Sequence, residues 1–386
     1  MTAALSFLGG LGALLIAGHL VVRASSTIGV RFGLTPNVIG LTIVAAGTSA
    51  PELAVVFQAV AADDTELAVG SIIGSNIANV LLVLGIAALI GTIQVTSRVV
   101  RIDIPVMIVT SALLLVFVLD GNLAQLEGVV LVIGVVVFTT WTLRVAGRNG
   151  AAGLNAAAVA LRPVGEGANV DADANADADR ADDGSARTEP GGTRRRGLGR
   201  SGLELAVGIA ALAIAARFVV AGAEDIAASL GVPELIIGLT IVALGTSAPE
   251  IVTTLIAAVQ GQRDLAVGNA VGSNIFNILL VLGSTSSLTA GGIGVSEDAV
   301  NLDLPIMVAA AFACLPLMAW DRKLDRWEGA VFLTYYGAYL LFLILDATGH
   351  RAKDPFALIM VGFVLPLTVI TLATIGFRRR SRIVVV

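Results

Sequence analysis

The chain has 386 residues, 56% of them hydrophobic and 14% charged, with a net charge of −5. Soluble domains carry about 25% charged and 45–50% apolar residues, so a soluble globular protein is excluded. One cysteine and two histidines exclude a disulfide framework and any Cys/His zinc, haem or iron–sulfur centre.

The apolar residues supply roughly ten or eleven helical spans of about 20 residues. The ten-residue alternating segments of an outer-membrane barrel do not occur, so the expected fold is an all-α polytopic membrane protein. In chain order the spans fall near residues 3–22, 36–60, 66–90, 103–119 and 126–145. The first lacks the basic flank of a signal peptide and is expected to be retained. Residues 147–202 follow, with Ala-Asp alternation through Asp171, Asp173, Asp177 and Asp179, then Arg194, Arg195 and Arg196. Such sequence buries too little apolar surface to offset its ordering entropy, and a disordered linker is expected. Spans resume near 203–221, 234–258, 264–288, 303–320 and 327–346, with a further one near 356–377. The division is thus a first repeat over 1–146, the linker 147–202, a second repeat over 203–346, and an eleventh helix with a basic tail over 347–386.

Loop charges give an orientation. With the N-terminus outside, 21 of the 24 bases fall in cytoplasmic loops, the linker or the tail, as the positive-inside rule requires. The linker and the C-terminus are then cytoplasmic. Only Lys323 and Lys353 among the bases are lysines while Asp is plentiful, which suggests a salt-adapted prokaryote and a plasma-membrane location.

Residues 40–85 and 238–283 align without a gap, 27 of 46 positions being identical. Shared are GTSAPE (Gly47–Glu52, Gly245–Glu250), then LAVG, GSNI-x-N and LLVLG; Asp103-x-Pro105 and Glu127-Gly128 recur as Asp303-x-Pro305 and Glu328-Gly329. Five spans per half is an odd number, so the copies enter the membrane from opposite sides. An inverted repeat of this kind is typical of secondary transporters that bind substrate near the midplane.

Glu52 and Glu250 stand mid-span, where a carboxylate is costly and marks an ion path. Thr48 and Thr246 lie four residues before them, on the same helical face. Pro51 and Pro249 cannot donate to the carbonyl four residues back, which frees backbone oxygen near Gly47 and Gly245. Ser75 with Asn79, and Ser273 with Asn277, again share faces and add hydroxyl and carboxamide oxygen. Gly70, Gly74, Gly268 and Gly272 follow the small-xxx-small pattern of close helix contact; Asn76 and Asn274 point elsewhere and suit an inter-helix hydrogen bond. Asp103 and Asp303 are read as helix caps. An all-oxygen site with two carboxylates suits a hard cation such as Ca²⁺, and about two negative charges match one Ca²⁺ or two Na⁺.

The duplicated GTSAPE and GSNI-x-N motifs resemble those of the sodium/calcium exchangers of the cation/calcium antiporter superfamily, prokaryotic type, over about residues 1–346 without the linker. The resemblance implies ten core helices in two inverted repeats, the second, third, seventh and eighth broken around four ion sites. The first and sixth helices would slide past that bundle, and Na⁺ entry would drive Ca²⁺ extrusion, typically three for one. Carried over, Glu52 and Glu250 are central to the Ca²⁺ site, and Thr48 and Thr246 lend it carbonyls. Ser49, Ser75, Ser247 and Ser273 line flanking sodium sites, and Asn79 matches the family residue. Asn277 stands where many relatives, the potassium-dependent branch above all, carry Asp, which argues against K⁺ co-transport.

The expected function is a Na⁺/Ca²⁺ antiporter working by alternating access, with a Ca²⁺/H⁺ antiporter of the same fold as the alternative. No phosphate-binding GxxxxGK[ST] loop or activated nucleophile points to an enzyme. No cofactor and no nucleic acid are expected; the partners are Ca²⁺, Na⁺ and the bilayer, with a monomer as the functional unit.

Overall fold

The computed structural model describes residues 2–148, 198–232, 237, 243–319 and 321–360. The chain is helical almost throughout. In order come α1 (Thr2–Arg31), α2 (Pro36–Ala61), α3 (Thr65–Ile90), α4 (Val99–Phe117) and α5 (Gln125–Arg148). After the linker come α6 (Leu198–Ser229), α7 (described over Ala243–Thr246 and Ala248–Val259), α8 (Arg263–Leu288), α9 (Ala299–Ala319) and α10 (Arg326–Ala347). Among the described residues nine helices are long and apolar enough to cross a membrane, and the protein is a multi-pass membrane protein. A short α11 (Lys353–Ile359) follows. The rest of the eleventh span, the basic tail and most of the linker lie outside the described residues.

Two helices outrun their expected bounds. α1 continues to Arg31 because nothing in residues 23–31 breaks a helix; the chain turns only at Gly33, in the left-handed region at φ +67. α6 begins at Leu198, inside the segment assigned to the linker. At 30 and 32 residues these helices are about 45 and 48 Å long, well beyond a hydrocarbon core of about 30 Å. They run antiparallel in contact along their length, through small residues: a Cβ on Gly10 would meet Val219 N at 2.9 Å, and one on Gly222 would meet Phe7 N at 2.6 Å.

Four two-residue strands prove the inversion. β1 (Ile93–Gln94) pairs antiparallel with β4 (Lys323–Leu324), and β2 (Asn122–Leu123) with β3 (Ile293–Gly294). A single span, α4, separates β1 from β2, so they lie on opposite faces of the membrane. β1 follows α3, and β3 follows its counterpart α8, yet β3 joins β2. Equivalent loops of the two halves therefore lie on opposite faces.

The repeated Glu-Gly dipeptide acquires a physical account. Glu127 accepts from Ala124 N at 2.9 Å and Glu328 from Asp325 N at 2.8 Å, capping the starts of α5 and α10. The adjoining glycines then allow backbone contact: a Cβ on Gly128 would meet Ser287 N of α8 at 2.6 Å, and one on Gly329 would meet Gly85 O of α3 at 2.7 Å.

Asp103 is not a cap. It ends a π-helical stretch, Val99–Asp103, inside a continuous helix, and caps nothing with its side chain. Fully buried, it accepts from Asn37 Nδ2 of α2 at 2.9 Å and pairs with Arg98 at 3.6 Å. Asp303 is likewise no cap and accepts from Tyr339 Oη at 3.0 Å. Both are tertiary ties at the start of a span.

Candidate ion site

α2, α3, α7 and α8 form the centre. α2 is interrupted at Ser49 (φ −78, ψ −1) and α7 at Ser247 (φ −84, ψ 1), two residues before Pro51 and Pro249. The match of these angles shows one device used twice. Each proline opens the next helical segment and removes one donor from the backbone ladder.

α3 and α8 are not broken, contrary to what the family resemblance implies. Neither contains proline, so no donor is lost. Each instead inserts a π-helical stretch, Asn79–Val83 in α3 and Asn277–Leu282 in α8. Such an insertion widens the turn and shifts the phase of every later side chain. Both stretches begin at the asparagine singled out by the repeat. The segment bearing Glu52 packs against the stretch of α8, and that bearing Glu250 against the stretch of α3.

Glu52 is 1% exposed and Glu250 0%, and the two carboxylates lie within electrostatic reach of each other. None of their four oxygens has a hydrogen-bond partner, and neither forms an ion pair among the described residues. Unpartnered buried charge costs several kcal/mol, so this pair cannot be structural filler. The hydroxyls of Ser49 and Ser247, the Oδ1 of Asn277, and both polar atoms of Asn79 are also buried without partners. The orphaned polar atoms thus concentrate on the residues the sequence selects, and the donor set is all oxygen. Oxygen donors of this type fit Na⁺ and Ca²⁺ and do not fit soft metals.

The remaining candidates are tied into the frame. Thr48 Oγ1 lies 3.5 Å from Ser273 Oγ and 3.5 Å from Asn269 Oδ1, and close to the Glu250 carboxylate. Ser75 Oγ accepts from Asn277 Nδ2 at 3.3 Å. Thr246 ends the first described segment of α7 and is half-buried. Asn76 and Asn274 bond across the repeat axis as expected, Asn76 Nδ2 donating to Asn274 O at 3.4 Å and Asn274 Nδ2 to Asn76 O at 3.2 Å.

One polar group was missed by sequence reasoning. Asn269 is fully buried, and its Nδ2 donates to Thr253 Oγ1 at 3.1 Å and Thr254 Oγ1 at 2.9 Å. Its counterparts in the first repeat are Ser71, Val55 and Val56. The signal lay in Thr253 and Thr254, which are polar in the second copy alone and so break the symmetry.

The glycine expectation is met by Gly268 and Gly272 of α8. A Cβ on Gly268 would meet Leu41 N of α2 at 3.0 Å, and one on Gly272 would meet Leu41 O at 2.7 Å. Gly70 and Gly74 of α3 have nothing within 4 Å among the described residues, and Gly70 is exposed. The first half of α2 is therefore pressed onto α8 at the β1–β4 face, where Arg263 NH1 also donates to Thr92 O at 2.8 Å. The counterpart of that half of α2 falls largely on residues 233–242, outside the described residues apart from 237; the described start of α7, Ala243–Thr246, packs on α3.

Two inverted five-helix halves around a buried acidic, all-oxygen centre define a secondary cation transporter. The model of the sodium/calcium exchanger protein family matches residues 2–144 and 201–345, and the chain belongs to that family, one of transporters. It is 33% identical over 346 residues to the putative antiporter CaxA of Alkalimonas amylolytica, covering 89% of this chain and 99% of that protein. To the sodium/calcium exchanger MaX1 of Methanosarcina acetivorans it is 32% identical over 354 residues, covering 86% and 96%. A solved structure of the sodium-calcium exchanger NCX_Mj, soaked with 10 mM Na⁺ and no Ca²⁺, superposes with a TM-score of 0.66 at 27% identity, over 87% of this chain and 96% of that one.

Proposed function

We propose that this antiporter exchanges Na⁺ for Ca²⁺, extruding Ca²⁺ as Na⁺ enters, by alternating access. The observation that carries the reading is the pair of fully buried, unpartnered carboxylates, Glu52 and Glu250, set among the orphaned oxygens of Ser49, Ser247, Asn79 and Asn277. Ca²⁺ takes six to eight oxygens in flexible geometry. Glu52 and Glu250 supply its charge, Thr48 and Thr246 supply carbonyl oxygen, and Ser49, Ser75, Ser247 and Ser273 flank it as Na⁺ ligands. One Ca²⁺ or two Na⁺ neutralise the two carboxylates, and a third Na⁺ leaves one positive charge. Competition for the same carboxylates couples the two ions without a further device.

The base-rich loops put the β1–β4 face in the cytoplasm. In that orientation the packed α2–α8 contact closes the cytoplasmic side. α1 and α6 approach closely at Gly10, Gly208 and Gly222, and such small residues suit sliding.

A Ca²⁺/H⁺ antiport is favoured by one observation: both carboxylates lack donors and can take protons in place of Na⁺. Ca²⁺ uptake into proteoliposomes separates the two readings. An outward Na⁺ gradient is expected to drive it; uptake that ignores Na⁺ and follows an imposed pH gradient overturns the Na⁺ reading.

A further inference from the structure

We propose that Asn76 and Asn274 are positioning residues that orient the carboxamides of Asn277 and Asn79 in alternation, one in each facing state of the transporter. The inference rests on the alternating-access reading above.

The four asparagines are two pseudo-symmetric pairs, Asn76 with Asn79 in α3 and Asn274 with Asn277 in α8. At the repeat axis the bonding is symmetric. Asn76 Nδ2 donates to Asn274 O and, at 3.6 Å, to Met307 Sδ. Asn274 Nδ2 donates to Asn76 O and, at 3.5 Å, to Met107 Sδ. A backbone carbonyl and a thioether only accept, so these contacts fix which end of each carboxamide faces the axis. The oxygens Oδ1 of Asn76 and Asn274 are thereby turned away from it, ready to accept.

Beyond that point the symmetry fails. Asn277 Nδ2 donates to Asn76 Oδ1 at 3.1 Å and to Ser75 Oγ at 3.3 Å. The equivalent bond, from Asn79 Nδ2 to Asn274 Oδ1, is not made: both atoms are buried and neither has any partner. The residues are identical in the two halves, so side-chain chemistry cannot cause the difference. Its origin is the relative placement of the repeats.

Inverted repeats exchange conformations when such a transporter turns over. In the opposite state the Asn79–Asn274 bond therefore forms and the Asn277–Asn76 bond opens. Each state holds one carboxamide with its oxygen directed away from the asparagine that clamps it, and leaves the other free to turn. A buried donor and a buried acceptor are left unpaired in either state, so the two states remain close in free energy while any intermediate lacking both bonds is disfavoured.

The test uses the full chain in nanodiscs, with Cys314→Ala removing the single cysteine and Gly70→Cys, at an exposed position of α3 near the β2–β3 face, as reporter. Labelling by a membrane-impermeant maleimide reads the population open at that face, in Na⁺ and in Ca²⁺. Asn76→Ala weakens the present state and is expected to slow labelling; Asn274→Ala weakens the other and is expected to speed it. Each change is at most about fivefold, the worth of one neutral buried hydrogen bond, and the double variant returns toward the parent. Opposite signs are the signature, since purely structural damage would move both the same way. Asn76→Ser and Asn274→Ser carry the same comparison where an alanine variant misfolds. Parent labelling that responds to ions, with single variants that shift together or not at all, overturns the alternation alone. Parent labelling indifferent to both ions overturns alternating access, and this inference with it.

Discussion

Replacing Glu250 by Gln keeps shape and hydrogen-bonding capacity while removing one of the two central charges. At an effective dielectric of about 20 and a separation of about 3 Å, one carboxylate attracts a divalent ion by about 11 kcal/mol and a monovalent ion by about half that. Desolvation offsets much of this, yet removing one member of a buried charge set still costs about 3–5 kcal/mol, or two to nearly four orders of magnitude in Kd. The loss for Na⁺ should be about half that for Ca²⁺ in free energy. The ion-free protein should respond in the opposite direction. Glu52 and Glu250 lie within reach of each other without donors, so deleting one charge relieves repulsion and raises Tm. Thermal melts of parent and Glu250→Gln, with and without Ca²⁺, test both halves of the expectation, and proteoliposome uptake tests transport. A Ca²⁺-induced rise in Tm as large as the parent's, or parental Ca²⁺ transport, would refute the site. Glu52→Gln should behave the same way, because its burial and lack of partners are the same.

Three further outcomes follow from the packing. Gly128→Ala and Gly329→Ala each drive a Cβ to within 2.7 Å of a neighbouring helix and should lower stability by about 1–3 kcal/mol, read as a fall in Tm. Asp103→Ala removes a buried acceptor shared by Asn37 and Arg98 and should cost about 2–3 kcal/mol, whereas Asp303→Ala, half-buried with Tyr339 as its bonded partner, should cost about 1 kcal/mol; equal losses in thermal melts would contradict the difference in burial. Deleting residues 165–192, which lie between the two stretches matched by the family model, should leave Ca²⁺ uptake intact, and a loss of uptake would show that the linker takes part in transport.

The candidate site was legible because a membrane interior punishes polar residues that have no task. Glu52, Glu250, Ser49, Ser247, Asn79 and Asn277 stood out as polar positions recurring in apolar spans, and they hold nine of the eighteen buried side-chain atoms without a hydrogen-bond partner among the described residues. The inversion was legible from an odd span count, and the strand pairs bear it out. The helical defects were not legible in the same way. Proline marks the breaks in α2 and α7, but the π-helical stretches of α3 and α8 have no residue that demands them. They follow from fitting side chains between neighbouring helices, which is a property of the packed pair. Asp103 was misread for a related reason: a carboxylate two residues before proline suits a cap, and only the approach of Asn37 from a distant span reveals the tie.

Under the alternating-access proposal, a transporter assembled from two exact copies would have two symmetry-related states of equal energy, with no preferred side. Bias must therefore come from positions where the copies differ. The arrangement at the β1–β4 face shows how. Asn37 bonds Asp103, which is paired with Arg98, and this clamps the start of α2 where it packs on α8. The residue aligned with Arg98 in the second repeat is Asp298, and Asp303 bonds Tyr339 of its own half instead. Arg263, which reaches Thr92 O, aligns with Thr65. Each difference adds a tie at the β1–β4 face that the opposite face lacks in its aligned position. Three such ties, at about 1 kcal/mol each, are enough to favour closure at that face by about two orders of magnitude. Under the alternating-access proposal, the identical positions of the repeat make both states available, and the divergent positions favour closure at the β1–β4 face.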